Sequence, residues 1–326
     1  MGAGRIARLH AENLIGCLPR LRLAAIADPA PGVAAALADA AGCEALEDWR
    51  ELLERRDVEA LLLCSPSGLH PEQIVAAAEA GKHVFCEKPI APDVRAADGA
   101  LAAAEAAGIV LQVGYNRRFD RSFAAVREAV ASGRVGRPVI VRVTARDPEP
   151  STRDYLEHTP GLFVDTTTHD LDLVRFVTGA EIVEVAARAA SLVAEETREL
   201  GLADTAVTTA VLDSGALAVI DNCWLSRYGY DQRLEVHGTE GMVEARNEVR
   251  DTTVVADANG FHAPVLPHFF VDRYGPAFVR ELEAFADALE GAPVAVTGHD
   301  GRQALAAALA AMRSADEGRV VRLDER

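Results

Sequence analysis

Lysine is nearly absent from this sequence: of 326 residues only Lys82 and Lys88 are lysine, and the other 31 of the 33 basic residues are arginine. Where a chain carries its positive charge on guanidinium, an ammonium invites a chemical reason. It is a compact donor whose pKa moves on desolvation, whereas guanidinium is planar, forked and always protonated. Basic residues as a whole are scarce, 33 against 50 acidic ones for a net charge of −17. That balance opposes the counterion release that drives nucleic-acid binding, and adsorption to an anionic membrane. Cysteine is sparse too: Cys17, Cys43, Cys64, Cys86 and Cys223 are odd in number and scattered, with no C-x-x-C pair. Neither a disulfide framework nor a metal site is indicated, and a reducing, cytoplasmic setting is expected. No apolar run approaches a bilayer span and no signal-peptide pattern opens the chain. A small uncharged partner fits best.

What is present is a core-forming composition, 49% hydrophobic, on a length that suggests two domains. From residue 21 to 114 the pattern alternates. Apolar runs at 23–27, 58–64, 83–86 and 109–113 read as buried strands, and alanine-rich helices are expected over 32–41, 71–80 and 92–107. Such alternation predicts a parallel α/β sheet covered on both faces. After Asn116 the grammar changes. A helix over 119–131 and a strand over 138–145 lead to a helix over 168–178. Strands then follow one another at 182–190, 204–212, 216–222, 232–237 and 241–245, with tight turns such as Asp213-Ser214-Gly215. This predicts a large, mostly antiparallel open sheet in an α+β domain. Helices over 277–290 and 301–314 and a short strand over 319–323 finish the chain. The domains are expected at 1–116 and 117–326.

Gly2-Ala3-Gly4-Arg5-Ile6-Ala7 fits the dinucleotide fingerprint G-x-G-x-x-A, in which small residues let a pyrophosphate approach the positive end of a helix. Asp28, at the end of the 23–27 strand, is placed to bind adenosine ribose hydroxyls and would repel a 2′-phosphate, favouring NAD over NADP. The alternative is a turn or capping residue before Pro29. The fingerprint should follow a strand, yet Gly2 is the second residue. A doubly wound sheet without its first, central strand is expected to leave two neighbours unpaired, and an N-terminus starting further upstream is expected in the natural chain.

Lys88 ends the apolar run at 83–86 in Glu87-Lys88-Pro89, a good place for a site, whereas Lys82, beside Gly81, is expected to be a solvated surface residue. Asp165 and His169 are four apart, on one face of a helix. There a carboxylate can fix the imidazole tautomer while the ring accepts a hydroxyl proton. A capped helix with a satisfied histidine is the alternative. Asp170 and Asp172 read as a solvated or structural pair.

Glu87-Lys88-Pro89 after Gly81-Lys82-His83-Val84, with Asp165 and His169 downstream, resembles the Gfo/Idh/MocA family of glucose-fructose oxidoreductase and inositol dehydrogenase, over essentially the whole chain. Arg5 to Asn13, Asn116-Arg117-Arg118-Phe119-Asp120, 165–172 and Tyr228 to Arg233 carry the likeness toward its inositol 2-dehydrogenase branch. The resemblance implies a Rossmann domain followed by an open-sheet domain. It implies NAD-dependent oxidation of a secondary hydroxyl of a cyclic polyol or sugar, first of all myo-inositol at C2, and a homodimer or homotetramer formed through the C-terminal sheet. It makes His169 the base, Asp165 its partner and Lys88 the holder of the reacting oxygen. Gly2, Gly4, Arg5, Ile6, Asp28, Ser65, Ser67, His70, Glu87 and Lys88 then border the cofactor, while Arg118, Asp147 and Tyr230 face substrate hydroxyls. Those last three could equally be an ion pair, a turn residue and a sheet aromatic. Pro160-Gly161 and Cys223-Trp224-Leu225 depart from the family pattern, the second with Trp224 expected near the site. Two other functions remain open: an NAD-dependent glycoside hydrolase of the same fold, and a cofactor-binding protein without turnover.

Overall fold

The apolar runs around residues 60 and 85 become neighbouring strands of one parallel sheet in the computed structural model, which describes residues 1–325. One unit comprises Met1–Phe119 and Pro276–Leu305. Its elements are α1 (Arg5–Cys17), β1 (Ala25–Ala27), α2 (Val33–Ala41), β2 (Glu44–Leu46), α3 (Glu51–Glu54), β3 (Ala60–Leu63), α4 (His70–Glu79), β4 (His83–Glu87), α5 (Val94–Ala107) and β5 (Leu111–Gly114). All pairings are parallel, as expected, but the strands fall into two sheets, β1-β2 and β3-β4-β5. Met1 and Gly2 bridge them. The Met1 ammonium donates to the Leu62 carbonyl, Cys64 N–H donates to the Met1 carbonyl, and Gly2 N–H donates to the Ala27 carbonyl, each at 2.8 Å. A cavity of about 350 Å³ lies here, walled by Met1, Ile26, Leu61 and Phe285 and also by the charged Arg22 and Asp57 among others. Burial pushes the Met1 amino group below its usual pKa.

The sequence pattern places everything after 116 in one domain, whereas residues 276–305 cluster with the first unit. The reason is apolar burial. Leu282 and Phe285 pack with Leu18 and Phe85, and the Phe85 and Phe285 rings meet edge-on at 5.7 Å. Burying one such side chain contributes about 1.5–3 kcal/mol.

The second unit comprises Asp120–Gly275 and the segment from Ala306. It holds α6 (Arg121–Ala131), β6 (Pro138–Arg146), α7 (Arg153–His158), α8 (Thr168–Thr178), β7 (Ile182–Ala190), α9 (Glu195–Glu199), β8 (Thr205–Leu212), β9 (Leu217–Cys223), β10 (Asp231–Gly238), β11 (Met242–Ala245), β12 (Val255–Asp257) and β13 (Gly260–His262). The chain continues through α10 (Phe270–Leu289) and α11 (Gly298–Glu317) to β14 (Val321–Arg322). Seven strands form one sheet in the order β11-β10-β6-β9-β8-β7-β14. It is antiparallel except where β6 pairs with β9, in parallel. Along β8 the period-two pattern is plain: Ala206, Thr208, Ala210 and Leu212 are buried while Val207 and Thr209 are exposed. Among the described residues no helix is long and apolar enough to cross a membrane.

Candidate active site

The fingerprint forms the turn that its residue types predict. Gly2 has φ +82°, and a Cβ there would lie 2.8 Å from the Cys64 carbonyl oxygen, so only glycine fits. Gly4, the N-cap of α1, has open space around its Cβ position and no side chain capping the helix. No acidic residue lies in the first turn of α1, so the positive end of the helix is not neutralised by its own side chains. Arg5 is exposed and Ile6 half-buried at this end. Asp28 follows β1, and its carboxylate accepts from Ala3 N–H at 2.8 Å and Ala30 N–H at 2.9 Å. It is thus a turn residue and is also held beside the glycine turn, where a ribose would be bound. An open helix terminus, a close-approach glycine and a placed carboxylate fit a dinucleotide.

Beyond β3 the loop holding Ser65 and Ser67 is pinned by His70. The His70 ring nitrogens lie 2.9 Å from the Pro89 carbonyl through Nδ1 and 2.9 Å from the Ser65 carbonyl through Nε2. Burial lowers the His70 pKa, against the pull of the two carbonyls. His70 is thus an internal strut between the serine loop and the segment after Lys88. Ser65 Oγ donates to Gln73 at 2.6 Å, and Ser67 is half-buried. Glu87 is buried at the end of β4 and its carboxylate accepts from the Lys88 N–H at 3.3 Å. Lys88 follows, half-buried. Lys82 departs from expectation: its ammonium donates to the Arg55 and Val58 carbonyls, each at 2.7 Å, because a thin flexible stem can reach two carbonyls that a guanidinium would crowd.

In the second unit, Gly161 at φ +84° leads into a π-helical turn over Phe163–Thr167 that runs straight into α8. Such widened turns are uncommon and gather at functional sites. From Leu162 through Arg175 every residue is buried except two, Asp165 and His169. The segment is anchored to the sheet from behind: Trp224 Nε1 donates to Thr166 Oγ1 at 3.0 Å, and Thr167 Oγ1 donates to Asn222 Oδ1 at 2.8 Å. Asn222 Nδ2 in turn donates to Asp170 at 2.7 Å. Trp224 is 2% exposed, so it buttresses this helix rather than lining a substrate surface. Asp170 and Asp172 are buried, hence structural, with Asp172 lying 3.7 Å from Arg175.

Asp165 has a partner that no motif announces. Tyr155 of α7 donates its hydroxyl to Asp165 Oδ2 at 2.5 Å. Burial, then the Asp165 charge, push the Tyr155 hydroxyl well above the usual phenol range, so it stays a donor. Asp147, half-buried after β6, adds to the same negative field at Tyr155. Tyr230 is 5% exposed among the Phe269 and Tyr274 rings, at 6.5 and 5.9 Å. Arg118 belongs to the first unit and pairs with Asp300 at 3.0 Å. Burial alone would raise the Asp300 pKa, but Arg118 and Thr297 outweigh it and hold the carboxyl at about 2.

Comparison with known proteins agrees with this layout. Residues 1–115 match the model of an oxidoreductase family with an NAD-binding Rossmann fold, and residues 123–244 match the GFO/IDH/MocA C-terminal domain. The chain is 42% identical to a myo-inositol 2-dehydrogenase of Thermotoga maritima, covering 100% of this chain and 98% of that one. It is 40% identical to an inositol 2-dehydrogenase of Rhizobium meliloti, covering 98% and 97%. The crystal structure of scyllo-inositol dehydrogenase from Lactobacillus casei with bound NAD(H) and scyllo-inositol superposes with a TM-score of 0.94 at 28% identity, covering 99% and 98%.

Proposed function

The chain belongs to the GFO/IDH/MocA oxidoreductase family, and on that premise we propose that it is an NAD-dependent dehydrogenase oxidising a secondary hydroxyl of a cyclic polyol, myo-inositol at C2 to the inosose. The observation that carries the reading is the pair Asp165 and His169, which alone keep solvent access along an otherwise buried helical stretch. His169 takes the hydroxyl proton. Asp165 orients the ring and stabilises the cation that forms. Lys88 holds the reacting oxygen as a point donor. Gly2, Gly4, Arg5, Ile6 and Asp28 hold the pyrophosphate and adenosine end of NAD, with Ser65, Ser67, His70 and Glu87 shaping the adjoining wall. NAD, when bound, supplies the hydride acceptor. Arg118, Asp147 and Tyr230 are assigned to the polyol side, Arg118 and Tyr230 through the packing just described rather than as open surface groups.

The outward face of the seven-stranded sheet carries Val207, Leu217 and Val219, 49%, 49% and 37% exposed, which supports assembly of a homodimer or homotetramer through that sheet. Five unpaired cysteines support a reducing, cytoplasmic setting. The test is a panel of inositols and aldoses with NADH absorbance as readout. Steady NADH formation on myo-inositol is expected, with a loss of at least roughly 100-fold in kcat for His169→Ala. A His169→Ala rate near wild type removes it as base, and sugar release from a glycoside without net NADH replaces the dehydrogenase by a hydrolase.

A further inference from the structure

Three titratable side chains from three elements meet inside the first unit: His10 of α1, Glu87 of β4 and Glu281 of α10, with atoms all within 4.8 Å of one another. His10 and Glu281 are 0% exposed and Glu87 is 8% exposed. His10 Nε2 lies 2.6 Å from Glu87 Oε1. The His10 ring is wedged edge-on against Phe85 and Phe278, at 5.5 and 5.8 Å. Gly114 leaves room for the Glu87 carboxylate, which a Cβ at that position would meet at 3.1 Å. Neither carboxyl oxygen of Glu281 has a hydrogen-bond partner, and neither does His10 Nδ1.

An ionised carboxylate buried with no partner, beside a second carboxylate, costs several kcal/mol. Either a metal cation or a proton can relieve it. The contact between His10 and Glu87 argues against a metal, because two atoms each about 2.0–2.2 Å from one tetrahedral ion lie well over 3 Å apart. We propose that His10, Glu87 and Glu281 form a buried proton-binding site in which Glu281 is kept as a neutral carboxylic acid beneath the carboxylate that holds the Lys88 N–H. Burial and the Glu87 charge push the Glu281 pKa in the same direction, well above the usual carboxylate range. The site is independent of the substrate assignment and would stand if that assignment fell.

The groups facing Glu281 are His10 from α1, Cys64 after β3, Glu87 on β4, and Gln112 on β5, whose amide donates to the Glu281 carbonyl at 2.8 Å, with Cys86 beside Glu87 and Cys64. The Met1 amino group lies beside Cys64. Burial holds both thiols above their usual range, so they stay neutral. Met1 titrates alike with and without a change at Glu281 and cancels in a comparison.

Glu281→Gln supplies the test, since glutamine copies the shape of the neutral acid. A carboxyl whose folded pKa is raised loses stability as pH climbs from its unfolded value, about 4.3, through the folded one. The Tm of Glu281→Gln is therefore expected to pass that of wild type as pH rises from 4.5 to 8, with the gap widening by several degrees. The wild type is expected to show the infrared C=O band of a protonated carboxyl at neutral pH, and the variant to lack it. A variant less stable than wild type at pH 8, with no such band in the wild type, overturns the proposal. So does one equivalent of bound divalent metal that the variant loses. If the variant does not fold, the band in wild type, titrating away only above neutral pH, decides alone.

Discussion

Tyr155→Phe removes one hydroxyl and leaves the ring, so it isolates the 2.5 Å bond to Asp165. A hydrogen bond to a charged group is worth about 1.5–3 kcal/mol. Tyr155 is 36% exposed, so water can replace part of the bond and the lower end applies, about 1.5 kcal/mol. At about 1.4 kcal/mol per factor of ten, that is roughly a tenfold loss. If the bond aims Asp165 at its partner, the loss falls on kcat, with the KM for polyol changed far less, because what is lost is felt when the imidazolium forms. Initial rates of NADH formation over a range of myo-inositol concentrations separate the two parameters, and a melting curve separates both from unfolding. A kcat within twofold of wild type in a folded variant, or a rise in KM alone, refutes the reasoning and leaves Tyr155 as surface packing.

Asp28→Ala should lower NAD affinity and raise NADP affinity relative to it, since a carboxylate that repels a 2′-phosphate is gone; an unchanged ratio in cofactor titrations removes Asp28 from the ribose site. Lys88→Arg keeps the charge but replaces a point donor by a fork, and kcat should drop strongly; full turnover would end the role assigned to that ammonium. The ion pair of Arg118 and Asp300 gives a stability test. With the folded pKa of Asp300 at about 2 and the unfolded value near 3.9, its contribution, at most about 2.6 kcal/mol, is complete above about pH 4 and lost as pH falls through about 2. Asp300→Asn should accordingly destabilise the protein at pH 7, with the difference closing in acid; a difference that persists at pH 2 contradicts it.

Where the instructions are local, the sequence could be read closely. The helix at 168–178 and the strand at 182–190 were legible to the residue, helped by Gly179, whose φ of +67° ends the helix. The helix expected over 277–290 starts earlier: α10 begins at Phe270 and runs through Pro276. The parallel pairing of β6 with β9 was not legible, because its register joins residues 77 apart, such as Thr144 and Asp221. In the candidate site, Asp165, His169 and Lys88 are proposed from residue type and spacing. Tyr155, Asn222 and the true place of Trp224 could not be read that way, since each contact is made by folding rather than by periodicity. Glu281 gave no signal either: a glutamate in an amphipathic helix reads as solvent-facing until Leu282 and Phe285 are seen packed beside Phe85.

The widened turn at Phe163–Thr167 lets one helix serve two masters. Absorbing an extra residue there rotates everything before it relative to everything after, by roughly the 100° that one helical residue spans. Asp165 can thereby answer to Tyr155 on one side while Thr167 and Asp170 remain fastened to Asn222 on the other. Deleting a single residue from this turn would restore regular pitch and force a choice between the two attachments, so the length of the segment matters as much as the identity of its residues.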